Sequence, residues 1–227
     1  MEEYRMKVRL RFFNPTLGSQ PSDPDVYSRF IASKAPDAKS INEEIEAIGI
    51  DGVAERGKTV FYKDKEGNPM YHDHQIKGFF KAAAGVCYRI GKEREKEGEK
   101  YKYKLPAFKS VINQNVFTYP EWMHINIPEG EKIGELQRPL RASTAQGERV
   151  SLANSEMVPS GSECIFEVLV LQESLLPFVR EWLDYGKYSG ISQWRSASYG
   201  RFLYEELDAD GNVIGGNMRE WKNFVTE

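Results

Sequence analysis

The residues best suited to chemistry lie near the end of the chain, in GKYSGISQWRSASYGRF, residues 186–202. Trp194, Arg195, Tyr199 and Arg201 stand there among Gly190, Gly200 and several serines. Free backbone donors, guanidinium groups and aromatic faces are the mixture that suits phosphates and unstacked bases. The same composition also makes an ordinary surface loop, with glycines serving turns and Trp194 packed inward. A second set lies in YRMKVRLRFF, residues 4–13, where Arg5, Lys7, Arg9 and Arg11 alternate with Tyr4, Met6, Val8, Leu10 and Phe12. That alternation is a strand with one face in a core and four cations on the other. Like charges at a period of two repel each other, and a polyanion across that face would relieve them. A solvated sheet face is the plainer account of the same pattern. A third set, Arg138, Arg141 and Arg149, is spread among Ser143, Thr144, Gln146 and Gly147 in what reads as a polar loop. Lys77, with Gly78, falls in the first turn of a helix beginning near Gln75, where free N–H groups can receive an anion.

His72-Asp73-His74 invites a metal or acid–base reading. The one other histidine is His124, and no cysteine or second carboxylate stands at ligand spacing to the pair. A helix-entry turn with Asp73 or His74 as cap is the reading adopted. No metal, no cofactor and no catalytic residue is expected.

These side chains need elements to position them. Ile76, Phe79, Phe80, Ala83, Cys87 and Ile90 keep helical spacing, as do Leu175, Leu176, Val179, Trp182 and Leu183, with Gly186 placed to end the second helix in a left-handed cap. Residues 164–171 form a nearly all-apolar strand, central in a sheet, and 201–207 another. Residues 58–62 and 69–71 bracket a glycine-containing turn, a hairpin pattern. Residues 115–119 and 124–127 are short strand candidates ending at prolines. Asp23 with Pro24 opens a short helix, and Ser40 with Glu43 makes a capping box for another. Lys100, Tyr101, Lys102, Tyr103 and Lys104 alternate cation and aromatic, fitting extended chain along a single strand or a lysine-guarded sheet edge.

The 227 residues suffice for a substantial core, and 40% hydrophobic with 29% charged residues is an ordinary globular balance. No apolar run reaches membrane-spanning length, and the charged start lacks a signal-peptide core, so a cytoplasmic protein without a membrane partner is expected. Cys87 and Cys164 read as buried free thiols. A net charge of −3 argues against strong nonspecific DNA binding by the whole chain but leaves room for a local basic face.

Several segments, in order, resemble the repeat-associated mysterious proteins (RAMP) of CRISPR systems, in particular their Cas7-like backbone subunits. GNPMYHDHQIKGFFKAAAG carries the match at Ile76, Lys77 and Gly78. LQRPLRASTAQGERVSLANSEMVPSGSECIFEVLVL carries it at Glu156, Pro159, Gly161 and the strand at 164–171. GKYSGISQWRSASYGRF matches the closing loop at Gly190, Gly200, Arg201 and Phe202, and LRFFNPTLGS the opening strand with its turn at Gly18. His72 to Gln75 depart from the usual glycine- and serine-rich turn, and the closing loop has fewer glycines, as in a divergent, phage- or mobile-element-borne relative. The resemblance implies an α+β fold: a ferredoxin-like, RNA-recognition-type antiparallel sheet with helices on one face, one domain over 1–227 with insertions at about 20–58 and 91–135. It further implies single-stranded RNA or ssDNA as partner and side-by-side assembly, as a homo-oligomer or among CRISPR-type subunits. The contacts expected are Arg5, Lys7, Arg9, Arg11, Lys77, Arg138, Arg141, Arg149, Trp194, Arg195, Tyr199 and Arg201. Two alternatives stand beside this reading. One is a phage anti-defence decoy that binds a host complex. The other is a metal- or histidine-dependent endoribonuclease drawing on Asp23, Asp37, His72 or His74, none of which has an identifiable partner in sequence.

Overall fold

A computed structural model describes residues 2–22, 58–144 and 147–225, of which 139–152 by backbone alone. The expected helices opened by Asp23 and by Ser40, and with them Asp37, lie outside the described residues.

In chain order the strands are β1 (Tyr4–Phe12), β2 (Thr16–Leu17), β3 (Gln20–Pro21), β4 (Thr59–Val60), β5 (Tyr62–Lys63), β6 (Pro69–His72), β7 (Val116–Tyr119), β8 (Trp122–Asn126), β9 (Gly134–Thr144), β10 (Gly147–Val158), β11 (Glu163–Val170), β12 (Phe202–Leu207) and β13 (Val213–Gly216). The helices are α1 (Asp73–Lys96), α2 (Phe108–Asn115) and α3 (Leu176–Asp184). The fold is α+β. Its larger sheet runs β13-β12-β1-β11-β8-β6-β5, with β7 also on β11. β1 is central and antiparallel to both neighbours, Val8 facing Phe166 of β11 and Leu10 facing Tyr204 of β12. α1 falls between β1 and β7 in the chain and α3 between β11 and β12, and the inner order is β12, β1, β11, then β7 and β8, which share the far side of β11. β7 and β8 lie within 91–135, so that stretch contributes to the central sheet as well as extending from it.

The alternation in β1 sets the core. Met6, Val8, Leu10 and Phe12 are buried, and Phe166, Cys164, Phe202 and Tyr204 lie on the same side. α1 covers this face with Ile76, Phe79, Phe80, Ala83, Ala84 and Cys87, and α3 with Val179, Trp182 and Leu183. A fully buried phenylalanine such as Phe80 contributes about 1.5–3 kcal/mol. α1 begins two residues earlier than its apolar spacing indicates. Its cap is His72, neither Asp73 nor His74: His72 Nδ1 accepts the His74 N–H, and Gln75 Oε1 accepts the His72 N–H, a reciprocal box. Gly186 has no left-handed conformation. α3 continues into a 3-10 turn at Tyr185–Lys187, and a Cβ at 186 would stand 2.3 Å from the ring of buried Phe202. Glycine is required there for close approach, not for a positive φ.

The smaller sheet runs β2-β10-β4-β3, with β9 on the side of β10. Here the expected polar loop around Arg138, Arg141 and Arg149 is corrected. It is a long hairpin, paired from Gly147 opposite Thr144 to Met157 opposite Gly134. Both strands are too poor in apolar alternation to show a buried face in the sequence, and Pro139 is tolerated because, among the described residues, β9 pairs on one side alone. Glu156 fastens the two sheets together. It is nearly buried, accepts the Phe61 N–H at 3.1 Å and pairs with Lys63 at 2.6 Å. The cation–aromatic run at 100–104 forms turns before α2, not a strand. No helix among the described residues is long and apolar enough to cross a membrane.

Candidate nucleic-acid interface

The outward cations of β1 do not form an open basic face. Arg5 pairs with Glu3 at 3.2 Å and Glu167 at 3.3 Å. Arg9 pairs with Glu205 at 3.0 Å and lies 3.8 Å from Glu163, while Arg11 meets Glu163 at 3.1 Å and the ring of Trp221 at 5.2 Å. Lys7 sits opposite Glu167 in the β1–β11 register. Repulsion within the row is thus relieved inside the sheet, by glutamates that β11 and β12 present at the same period. Lys77 lies apart, over the Phe117 ring at 5.2 Å and 3.7 Å from Asp73.

The closing loop does draw distant residues together. Ile191 N–H donates to Gly200 O at 3.0 Å, pinching the loop shut, and Gly200 N–H donates to Pro15 O. A Cβ on Gly190 would meet the Gly200 backbone at 2.2 Å, and one on Gly200 would meet Ile191 O at 2.1 Å, so both glycines serve this crossing. Ser192, Trp194 and Ser198 all have positive φ, at 79°, 49° and 71°. Each such residue costs on the order of 1–3 kcal/mol and must be held by its surroundings. Part of the hold is Ser192, whose hydroxyl donates to Leu17 O. The result is a presented aromatic: the Trp194 and Tyr199 rings stack at 5.2 Å and 12°, and the Arg138 guanidinium from β9 lies 3.9 Å from the Trp194 ring centre. Burial pushes the Arg138 pKa down, and its Nε is enclosed without a hydrogen-bond partner. Arg201 Nε is enclosed in the same way. For Arg141 and Arg149 the backbone alone is described, on facing strands of the hairpin whose β9 carries Arg138.

Beside this cluster runs a groove of about 890 Å³ between α1, the start of α2 and the closing loop. Lys81, Arg89, Lys109 and Arg195 line it together with Tyr88, Phe108, Tyr185 and Trp194, and no carboxylate among the described residues does. Among the described residues, none of those four cations has a carboxylate within 4.0 Å. Unpaired cations among the described residues therefore gather here, whereas on β1 Arg5, Arg9 and Arg11 are all paired. Lys81, Gly85 and Arg89 fall on one stripe of α1, a quarter to a half turn away from the core stripe Ala83–Cys87. Spacing along the helix was a readable signal, and of these groove cations the sequence reading assigned only Arg195 to the interface.

A second cluster sits at the start of α1. Ligand atoms of His72, Asp73 and His74 all lie within 4.8 Å of one another, and Glu121 Oε1 stands 3.2 Å from His72 Nε2. His74 is held toward its neutral form by burial, with His72 adding to the effect.

No family model matches the chain, and no curated protein does. Among solved structures, the chain is similar to one in the cryo-EM structure of the Type III-B Cmr-beta bound to cognate target RNA, at 10% identity and a TM-score of 0.48. The match covers 91% of this chain and 60% of that one.

Proposed function

We propose that the chain binds single-stranded nucleic acid, with RNA as its ligand, in the groove between α1 and the closing loop. The observation that carries this reading is the groove's lining: four cations without carboxylate partners among the described residues, interleaved with aromatic rings. Phosphates take the cations, and an unstacked base takes the ring cluster of Trp194 and Tyr199. The Arg138 guanidinium against Trp194 enriches that stack with positive charge. Duplex is disfavoured, because its bases are already stacked on one another. The β12-β1-β11-β7/β8 strand order also supports the ferredoxin-like reading, and with it the RAMP resemblance. The basic strand β1 is left out of the interface, since Arg5, Arg9 and Arg11 are already paired.

The test is fluorescence anisotropy of labelled single-stranded RNA, DNA of the same sequence, and duplex. Saturable binding of the single strand with a steep salt dependence is expected, weaker for duplex. Assembly along the strand, which the resemblance implies, predicts that the number of chains bound grows with RNA length. Absence of single-strand binding at low salt would remove this reading.

A further inference from the structure

The cluster at the start of α1 is not used by the groove. We propose that His72, Asp73 and His74 bind a late first-row divalent metal ion, for which zinc is the probe, with Glu121 as the carboxylate that orients His72.

Two contacts of one imidazole carry the argument. His72 Nε2 faces Glu121 Oε1 at 3.2 Å and the His74 backbone N–H points at Nδ1, which together place the ring's N–H on Nε2 and the lone pair on Nδ1. A metal-bound histidine characteristically donates its other N–H to a carboxylate in this way. Nδ1 then lies 2.6 Å from Asp73 Oδ1. Two acceptors at that distance repel unless they share a proton or a cation sits against both from one side. The His74 backbone N–H does not resolve the conflict, because it reaches Nδ1 at 3.3 Å, a long contact that a metal would displace.

The third donor is the His74 side chain. It is exposed, and its ring centre is 4.6 Å from that of His72. Trp122 packs edge-on to His72 at 4.5 Å, limiting how far that ring can turn. Two imidazoles and one carboxylate favour zinc and its neighbours over magnesium or calcium, which prefer oxygen ligands. The N-terminal end of α1 and Lys77, 3.7 Å from Asp73 Oδ2, both oppose a cation. Binding is therefore expected to be weaker than at a closed structural zinc site.

The experiment is calorimetric titration of zinc into the untagged chain, with cobalt absorption as a second readout of ligand type. One zinc per chain and a ligand-field band for cobalt are expected. His74→Ala should abolish the saturable site while leaving the cap, which His72 and Gln75 make. Glu121→Gln should weaken zinc binding by about 10–100-fold. The Glu121 side chain is 67% exposed, so this second variant keeps the proposal testable if His74→Ala lowers stability. Absence of saturable zinc binding to the parent overturns the proposal. So does zinc binding that both variants leave unchanged, which would place the ion elsewhere.

Discussion

Replacing Lys81 and Arg89 together with glutamine isolates the open charge of the groove. Neither side chain has a carboxylate partner among the described residues, so their loss orphans no anion, and both lie on the non-core side of α1. The melting temperature should stay within about a degree or two of the parent, as for surface substitutions away from packed features. Two lost phosphate contacts on a single strand should flatten the slope of log affinity against log salt by about 1.4. Over a roughly fourfold rise in salt, the parent should then lose about sevenfold more affinity than the variant. At moderate salt the variant should bind about tenfold more weakly, with sequence preference unchanged, because phosphate contacts position without specifying. The matched control is Arg9→Gln with Arg11→Gln, which removes the same formal charge from β1. There the loss leaves Glu205 and Glu163 unpaired in a partly enclosed face, so stability should fall by about 1–3 kcal/mol. The salt slope should barely change. Anisotropy titrations at several salt concentrations, with melting curves alongside, measure both. If the groove variant keeps the parent's affinity and slope, the groove is not the binding site. If the β1 variant shows the flattened slope instead, the reasoning from pairing is wrong.

Trp194→Ala should weaken single-strand binding by about 1–3 kcal/mol, the range for a lost base–aromatic stack, and should leave the salt slope intact, which separates stacking from charge. Gly186→Ala forces a methyl against the ring of Phe202 and should destabilise by about 1–3 kcal/mol, read from denaturant midpoints at constant m-value. Burial pushes the Cys164 thiol up to about 12 and raises Cys87 as well, so neither should react with a thiol reagent near pH 8 in the native chain. Both should react in denaturant; fast native labelling of Cys164 would contradict the buried central strand.

What could be read from the sequence was whatever carried an apolar period. The central strands and the two core helices announce themselves because each buries one face, and a one-residue slip in β1 would expose Met6, Val8, Leu10 and Phe12 together. The β9–β10 hairpin did not, because its residues follow no apolar alternation and its arginines and serines look like loop. Gly186 shows a subtler failure. A glycine after a helix is usually read for its φ, whereas this one is fixed by a ring sixteen positions along the chain, a constraint that only packing reveals.

The site was half legible for a related reason: the sequence counts charges, but a ligand meets only those the fold leaves unpaired. YRMKVRLRFF has the longest alternating run of cations in the chain, yet β11 and β12 bring Glu163, Glu167 and Glu205 alongside it at the strand period. Those glutamates stand in the strands ECIFEVLV and FLYEEL, and they become relevant only once the register is known. Lys81, Arg89, Lys109 and Arg195 are unremarkable in sequence and scattered across three segments. They converge because the outer stripe of α1, the entry to α2 and a pinched loop enclose one groove. Trp194, Tyr199 and Arg138 were named from composition, and they do meet. Aromatic rings in a glycine-rich loop have no core helix to bury them, so their exposure can be inferred before the fold is known. Cations carry no such guarantee, since any neighbouring strand can supply the counter-charge. A chain with a net charge of −3 can therefore still present a basic groove, provided its many carboxylates are spent on other cations.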